Sequence, residues 1–366
     1  MKLVVFFSRG MSLDGWRRAG ILDRELALYR ALRPDLQRLA FLTYGGAEDV
    51  DLAVELPDVE VLPNRWRLPS NLYSVLAPLL HRRALAGATI FKTNQLNGAW
   101  CAVIARRLFR KKLVVRCGFL WSDFVARLHG GSWREGAARR LEAQACRAAN
   151  AVIVAAEADR TTIVERYGIE TGRVHVIPNY VDVTAFKPMP EMSRDPARII
   201  FVGRFDHQKN VMALIEAVGS LPGVTLTLVG DGPLHGQLQA EAIRRGVSAT
   251  FLGRRPHAEL PALLNGSAAF VLPSHYEGNP KALVEAMACG VPVIGARVPG
   301  IREILIHGET GYLCGTSAGE IKGALEAVLG DAALRNRMSA GAVAYARDTC
   351  SVEAAVRREL ALLRSL

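Results

Sequence analysis

The sequence predicts an α/β protein: two doubly wound, Rossmann-like domains facing each other across a ligand cleft. Three observations carry this. The 366 residues exceed what one hydrophobic core usually spans. Half of them are hydrophobic, enough to pack two cores. Short apolar runs also alternate with helix-patterned stretches along the chain, the order of parallel strands joined by helical crossovers.

The first series of runs is KLVVFF (residues 2–7), RLAFLTY (38–44), TIFKT (89–93), KLVVRCGF (112–119), AVIVAA (151–156) and VHVIPN (174–179). Each is of strand length and ends at Gly, Pro, Asn or a charge. KLVVFF is too short for a signal peptide, because Ser8 and Arg9 end it, and it reads as a first buried strand. The second series is RIIFVG (198–203), TLTLVG (225–230), ATFLG (249–253), AAFVLP (268–273) and VPVIGA (291–296). Between the series, residues 179–198 carry three prolines and no clean period. This sets domains at 1–185 and 186–349, with a final amphipathic helix at about 350–366 expected to pack back on the first domain.

Net charge is +11, and it is unevenly placed. Through Pro188 there are 28 Lys+Arg against 18 Asp+Glu; beyond it, 18 against 17. Arg106 to Arg147 alone holds 11 basic and 3 acidic residues, interleaved with Phe119, Trp121, Phe124 and Trp133. Such a mixture suits an anionic membrane surface. It also suits a plain solvated face with Trp121 and Trp133 in the core. No nucleic-acid motif accompanies it, so nucleic acid is not an expected partner. No apolar run reaches the roughly 18 residues of a membrane span. The six cysteines are scattered without a CxxC pair, pointing to a reducing compartment, with neither a disulfide framework nor a zinc site. The expected location is cytoplasmic, at the inner face of the membrane if the basic surface docks there.

Ligands of open α/β sheets sit beyond the carboxyl ends of strands. Those ends are FFSRGMSLDG, FVGRFDHQKN, LVGDGP, LPSHYEGNP and GARVPG, four of them in the second half. In FVGRFDHQKN, Arg204 and Lys209 follow Gly203 within one loop. A planar fork and a point charge suit a diphosphate, though solvated loop charge reads equally well. Gly230 in LVGDGP lets a ligand approach the backbone. In SHYEGNPKALVEAMACG, Glu277 precedes a Gly278-Asn279-Pro280 break and Glu285 lies within the helix that follows. Amides from Gly278 onward make a ready anion site. Acids would repel the anion unless they serve neutral hydroxyls on either side of it. A helix cap at Glu277 and a buried structural acid at Glu285 are the plainer alternative.

Arg204 with Lys209, the glutamate pair with seven residues between, then PGIRE and HGETGYLC, resemble the retaining nucleotide-sugar glycosyltransferases of the GT-B fold (family 4-like, group 1). VIPNYVD resembles that group's hinge-entry segment. The resemblance implies an acceptor-binding first domain and a nucleotide-sugar-binding second one. Arg204 and Lys209 would hold the donor diphosphate and stabilise the leaving group, making them catalytic together with Glu277, which would bind the transferred sugar. Glu285 would bind the ribose. Gly203, Gly230 and the backbone from Gly278 through Asn279, Pro280, Lys281, Ala282 and Leu283 would line the donor. The backbone near Arg254 would meet the base, and Gly15 in SLDG would approach the diphosphate from the first domain. Where many relatives carry a first-domain His, this chain has Arg116 and Cys117, placed on the acceptor and sugar side; His129 lies further on. One glycine of the family's Pro-x-Gly-Gly pattern is absent at Pro299-Gly300-Ile301.

The implied reaction moves a sugar from a UDP- or GDP-type donor to a hydroxyl of a saccharide or lipid-linked acceptor, with retention, in cell-envelope polysaccharide or glycolipid synthesis. No cofactor is expected. Two cations replace a metal, and the D-x-D at Asp49–Asp51 sits in a polar connection. His207 and His275 read as local polar contacts. An epimerase or phosphorylase on the same fold, or a non-catalytic binding protein, remain the alternatives.

Overall fold

The computed structural model describes residues 1–53, 56, 58–129 and 133–366. It divides into two compact units. One comprises Met1–Pro178 with Val356–Leu366, the other Asn179–Ala355.

The first unit is built on β1 (Lys2–Phe6), β2 (Arg38–Leu42), β3 (Val59–Leu62), β4 (Ile90–Thr93), β5 (Lys112–Cys117), β6 (Ala151–Val154) and β7 (Val174–Val176). They pair in parallel in the order β3-β2-β1-β4-β5-β6-β7. Parallel strands need helical crossovers, which cover both faces of the sheet. The strands are accordingly buried nearly throughout, as in β4, where all four residues are. Phe6 and Phe91 meet edge to face at 5.3 Å in this core.

The second unit carries β8 (Asp195–Val202), β9 (Thr225–Val229), β10 (Ala249–Gly253), β11 (Ser267–Leu272), β12 (Val293–Ala296) and β13 (Tyr312–Cys314). Its order is β10-β9-β8-β11-β12-β13, again all parallel. Strand direction of travel reverses between β1 and β4 in one sheet and between β8 and β11 in the other. Those reversals are the switch points where such sheets open a crevice for ligands.

β3 and β13 add to the eleven strands read from the sequence. Both lie at sheet edges. β3 is VEVL, with charged Glu60 exposed, and β13 has three residues. Strands of three or four residues carry little periodic signal.

The C-terminal helix Val352–Ser365 forms as its pattern predicts. Its Glu359 is fully buried against the equally buried Lys92 of β4, and its Arg364 pairs with Asp35 at 2.7 Å. All six cysteines are buried and free. Among the described residues, no helix is long and apolar enough to cross a membrane.

Candidate active site

Two loops leave the switch point of the second unit, one after β8 and one after β11. The first runs from Gly203 through a short 3-10 turn, His207–Lys209, into the helix Val211–Gly219. Asp206 caps the turn, its carboxylate accepting the Lys209 amide at 3.2 Å. Asn210 takes a left-handed φ of 53° and its side-chain amide donates to the carbonyls of Pro273 and Thr316. The second loop, Pro273 to Pro280, is stitched to the first. The His275 amide donates to Gln208 O at 2.8 Å, and Gln208 Nε2 donates to Tyr276 O at 3.0 Å. The two loops are therefore one hydrogen-bonded body.

That body places its charges in register. Lys209 Nζ lies 2.5 Å from Glu277 Oε1, and the Ser274 hydroxyl donates to the same oxygen at 2.7 Å. Glu277 is nearly buried, its side chain 6% exposed. A carboxylate leaves water only when its partners replace the lost hydration, which Lys209 and Ser274 do here. An ammonium has three donors and this contact uses one, so Lys209 can bind an anion without leaving Glu277. Arg204 projects from the same loop, 67% exposed and 3.7 Å from Asp206.

Glu285 sits inside the helix Lys281–Ala288, its side chain 5% exposed. Its partner is His257 Nε2 at 2.9 Å, and the His257 ring packs on Phe186 with centroids 4.8 Å apart. No sequence pattern joins His257 to Glu285 across 28 positions. The helix begins after Pro280 with no side-chain cap and no acid in its first turn, so Glu277 is not its cap. Leu283 departs from the expected row of free amides, because its N–H already donates to Pro280 O at 3.2 Å. Lys281 turns its ammonium over Tyr180 at 5.6 Å. Asn279 is buried and accepts two hydrogen bonds from Asn179, whose backbone N–H donates to Asn279 Oδ1 at 3.0 Å and whose side-chain Nδ2 donates to the Asn279 carbonyl at 2.6 Å. The Asn279 side chain thus fixes the loop instead of facing a donor.

Glycines let these loops touch. A Cβ on Gly230 would lie 1.8 Å from Gly203 O, and Gly230 has φ +140°. A Cβ on Gly300 would lie 1.8 Å from Gly278 O and 2.5 Å from Glu277 O. Gly300 thereby sets the height of the segment that carries Glu277, a role no local pattern assigns. Arg254 follows β10 and is exposed.

The remaining expected residues belong to the first unit. The Gly15 amide is committed to Ser12 Oγ at 2.9 Å, capping the short helix Leu13–Arg18. Arg116 is buried in β5, its amide donating to Thr93 Oγ1 at 3.0 Å. Cys117 is in the core with its thiol on Phe119 O, and burial holds its pKa well above the usual range. It offers no contact to a sugar. Trp133 is 80% exposed, not a core residue. The side chains of Phe124 and His129 lie outside the described residues. Asp49 is not in a polar connection but buried in the helix Ala47–Ala53, where it accepts the Asp14 amide at 3.0 Å. Among the described residues, no group of three or more His, Cys, Asp or Glu is placed to hold a metal ion.

Residues 26–185 match the family described as Glycosyltransferase Family 4, and residues 183–344 match glycosyl transferases group 1. Among curated proteins, the chain is similar to glycogen synthase of Mycobacterium tuberculosis, 32% identical over 58% of this chain and 54% of that one. It is also similar to the alpha-maltose-1-phosphate synthase of Mycolicibacterium smegmatis, 31% identical over 52% and 55%. The chain thus spans about half the length of these relatives. Among solved structures, Anabaena HepE in complex with UDP matches over 100% of both chains with TM-score 0.81 and 23% identity. Sucrose-phosphate synthase from Thermosynechococcus elongatus matches over 100% and 99% with TM-score 0.80 and 21% identity. At such identities the likeness concerns the fold: two Rossmann-like units of the GT-B class.

Proposed function

The chain belongs to the family 4, group 1 glycosyltransferases, and from that premise we propose that it transfers a sugar, with retention, from a nucleoside diphosphate to an acceptor hydroxyl. The observation that carries this reading is the Lys209–Glu277 pair, with exposed Arg204 on the same loop, at the sheet's switch point. Bond breaking in such a reaction builds positive charge on the sugar and negative charge on the diphosphate. Fixed cations aimed at the leaving group lower that barrier most. Arg204 and Lys209 supply them, and the amides of Lys281 and Ala282 at the helix start add partial positive charge.

Glu277, held by Lys209 and Ser274, keeps one carboxylate oxygen for hydroxyls of the transferred sugar. Glu285 takes the ribose diol, oriented by His257. A uridine donor is supported by the UDP bound to HepE. The two loop cations balance the diphosphate charge, so the proposed transfer does not require a divalent metal. The acceptor is a saccharide or lipid-linked hydroxyl, and the excess basic charge of the first unit supports a place at an anionic membrane surface, in envelope polysaccharide or glycolipid assembly.

Substitution of the two glutamates tests these roles. Glu285→Ala should weaken UDP binding about tenfold or more, the cost of losing a hydrogen bond to a charged group. Glu277→Gln should leave UDP affinity within about threefold yet lower transfer roughly 100-fold. Equal effects of both on binding, or no effect of either, contradict the assignment.

A further inference from the structure

The helix Ser70–Leu80 of the first unit carries no charged residue. It buries Tyr73, Ser74, Ala77 and Pro78 against the core. Its opposite face exposes Leu72 at 47%, Val75 at 52% and Leu79 at 56%. These stand at i, i+3 and i+7, with half-exposed Leu76 completing one stripe. Single exposed apolar side chains are ordinary, but a contiguous stripe marks an interaction face.

What surrounds the stripe defines the partner. Trp66 is 46% exposed and packs edge-on against His81, ring centroids 5.3 Å apart. At the C-terminal end of the helix, Arg65, Trp66, Arg82 and Arg83 line a shallow pocket of about 420 Å³. None of the three arginines is in an ion pair among the described residues, and no acid lines the pocket. An apolar stripe bordered by Trp and unpaired arginines matches the layered chemistry of a bilayer interface: acyl chains, then the aromatic zone, then anionic headgroups. The helix N-terminus abuts the loop after β1, where Arg9 donates to Asn71 and Gly10 lies against Ser70. The stripe therefore starts at the switch-point loop of its sheet.

We propose that this face docks the protein on an anionic lipid surface, with Leu72, Val75, Leu79 and Trp66 in the interface and Arg82 and Arg83 on headgroup phosphates. This deepens the reading of a transferase with a lipid-linked acceptor and rests on it for purpose, though not for its physical basis. It moves the membrane contact away from the segment Arg106 to Arg147, where the sequence had placed it.

Flotation of the full chain tests the proposal. Vesicles of phosphatidylcholine with about one third phosphatidylglycerol should carry the protein, at least about tenfold better than phosphatidylcholine alone, and raising NaCl to about 0.5 M should release it. L72Q/V75Q/L79Q should lower binding about tenfold or more, and R82S/R83S should remove its preference for the anionic vesicles. Thermal unfolding of the same variants should match wild type, which shows that the first unit folds, and UDP titration should match as well. Three results overturn the proposal. One is the absence of binding to anionic vesicles. Another is unchanged binding by L72Q/V75Q/L79Q. The third is a dimer in solution that this variant dissolves, which would assign the face to a second copy. Lost UDP binding with retained flotation would instead contradict the transferase reading and leave the docking face standing.

Discussion

Lys209 and Glu277 form one contact that satisfies both charges, and the proposed donor site is built on it. Each alone would be an expensive, largely buried charge; together with Ser274 they form a satisfied cluster. The height of this cluster depends on Gly300, where any side chain would overlap Gly278 O. Gly300→Ala is therefore expected to push the Glu277 segment away, costing about 1–3 kcal/mol of stability. Transfer should fall more steeply than UDP affinity, because Glu285 sits on a different element. Thermal unfolding, UDP titration and a transfer assay of the variant measure stability, affinity and transfer separately; a variant with wild-type transfer would show that the loop height does not matter. Arg204, Lys209 and Glu277 stood out in the sequence because they lie in loops directly after strand ends, and Glu285 because it lies in the helix that follows one of those loops. His257 did not, nor did the Asn179–Asn279 pair. Their partners lie 28 and 100 positions away, and local pattern carries no such information.

At the scale of elements, the C-terminal helix is joined to β4 by a fully buried ion pair, Lys92 with Glu359, 267 positions apart. Burial pushes the Lys92 ammonium pKa down while Glu359 pulls it up. Lys92 also lies 5.0 Å from the Tyr29 ring centroid, which adds cation–π attraction. Removing one partner strands the other charge, so Glu359→Leu alone should cost roughly 3–5 kcal/mol. Lys92→Met with Glu359→Leu should recover most of that loss, since well-packed apolar pairs replace buried ion pairs at little cost. Denaturant unfolding of the single and double variants reads the difference, and additive losses would show that the pair does not act as a unit. The helix itself was legible from its amphipathic pattern; the charge that anchors it was not, because KT at the end of TIFKT looks like a strand terminus. Edge strands β3 and β13 escaped for the opposite reason, being only four and three residues long, too short to show a period.

For the molecule as a whole, two open parallel sheets with the same strand order each carry a switch point, and the chain divides its residues accordingly. Groups suited to a nucleoside diphosphate gather on the second unit. The first bears most of the positive charge and the exposed apolar helix. The charge imbalance was readable from residue counts and the two sheets from strand runs, whereas the donor side came from the family resemblance and the exposed apolar helix was not read at all. Which first-unit residues meet an acceptor was not, since Cys117 is sealed in the core and Arg116 is buried. The central claim is that the loops after β8 and β11 form a metal-independent diphosphate site. Calorimetric titration of the full chain with UDP, GDP, ADP and CMP, with and without EDTA, tests it most directly. Saturable binding of a nucleoside diphosphate is expected, UDP foremost, unchanged by EDTA and weaker for CMP, which lacks the second phosphate. Absence of binding by every nucleotide, or binding that EDTA abolishes, would contradict it.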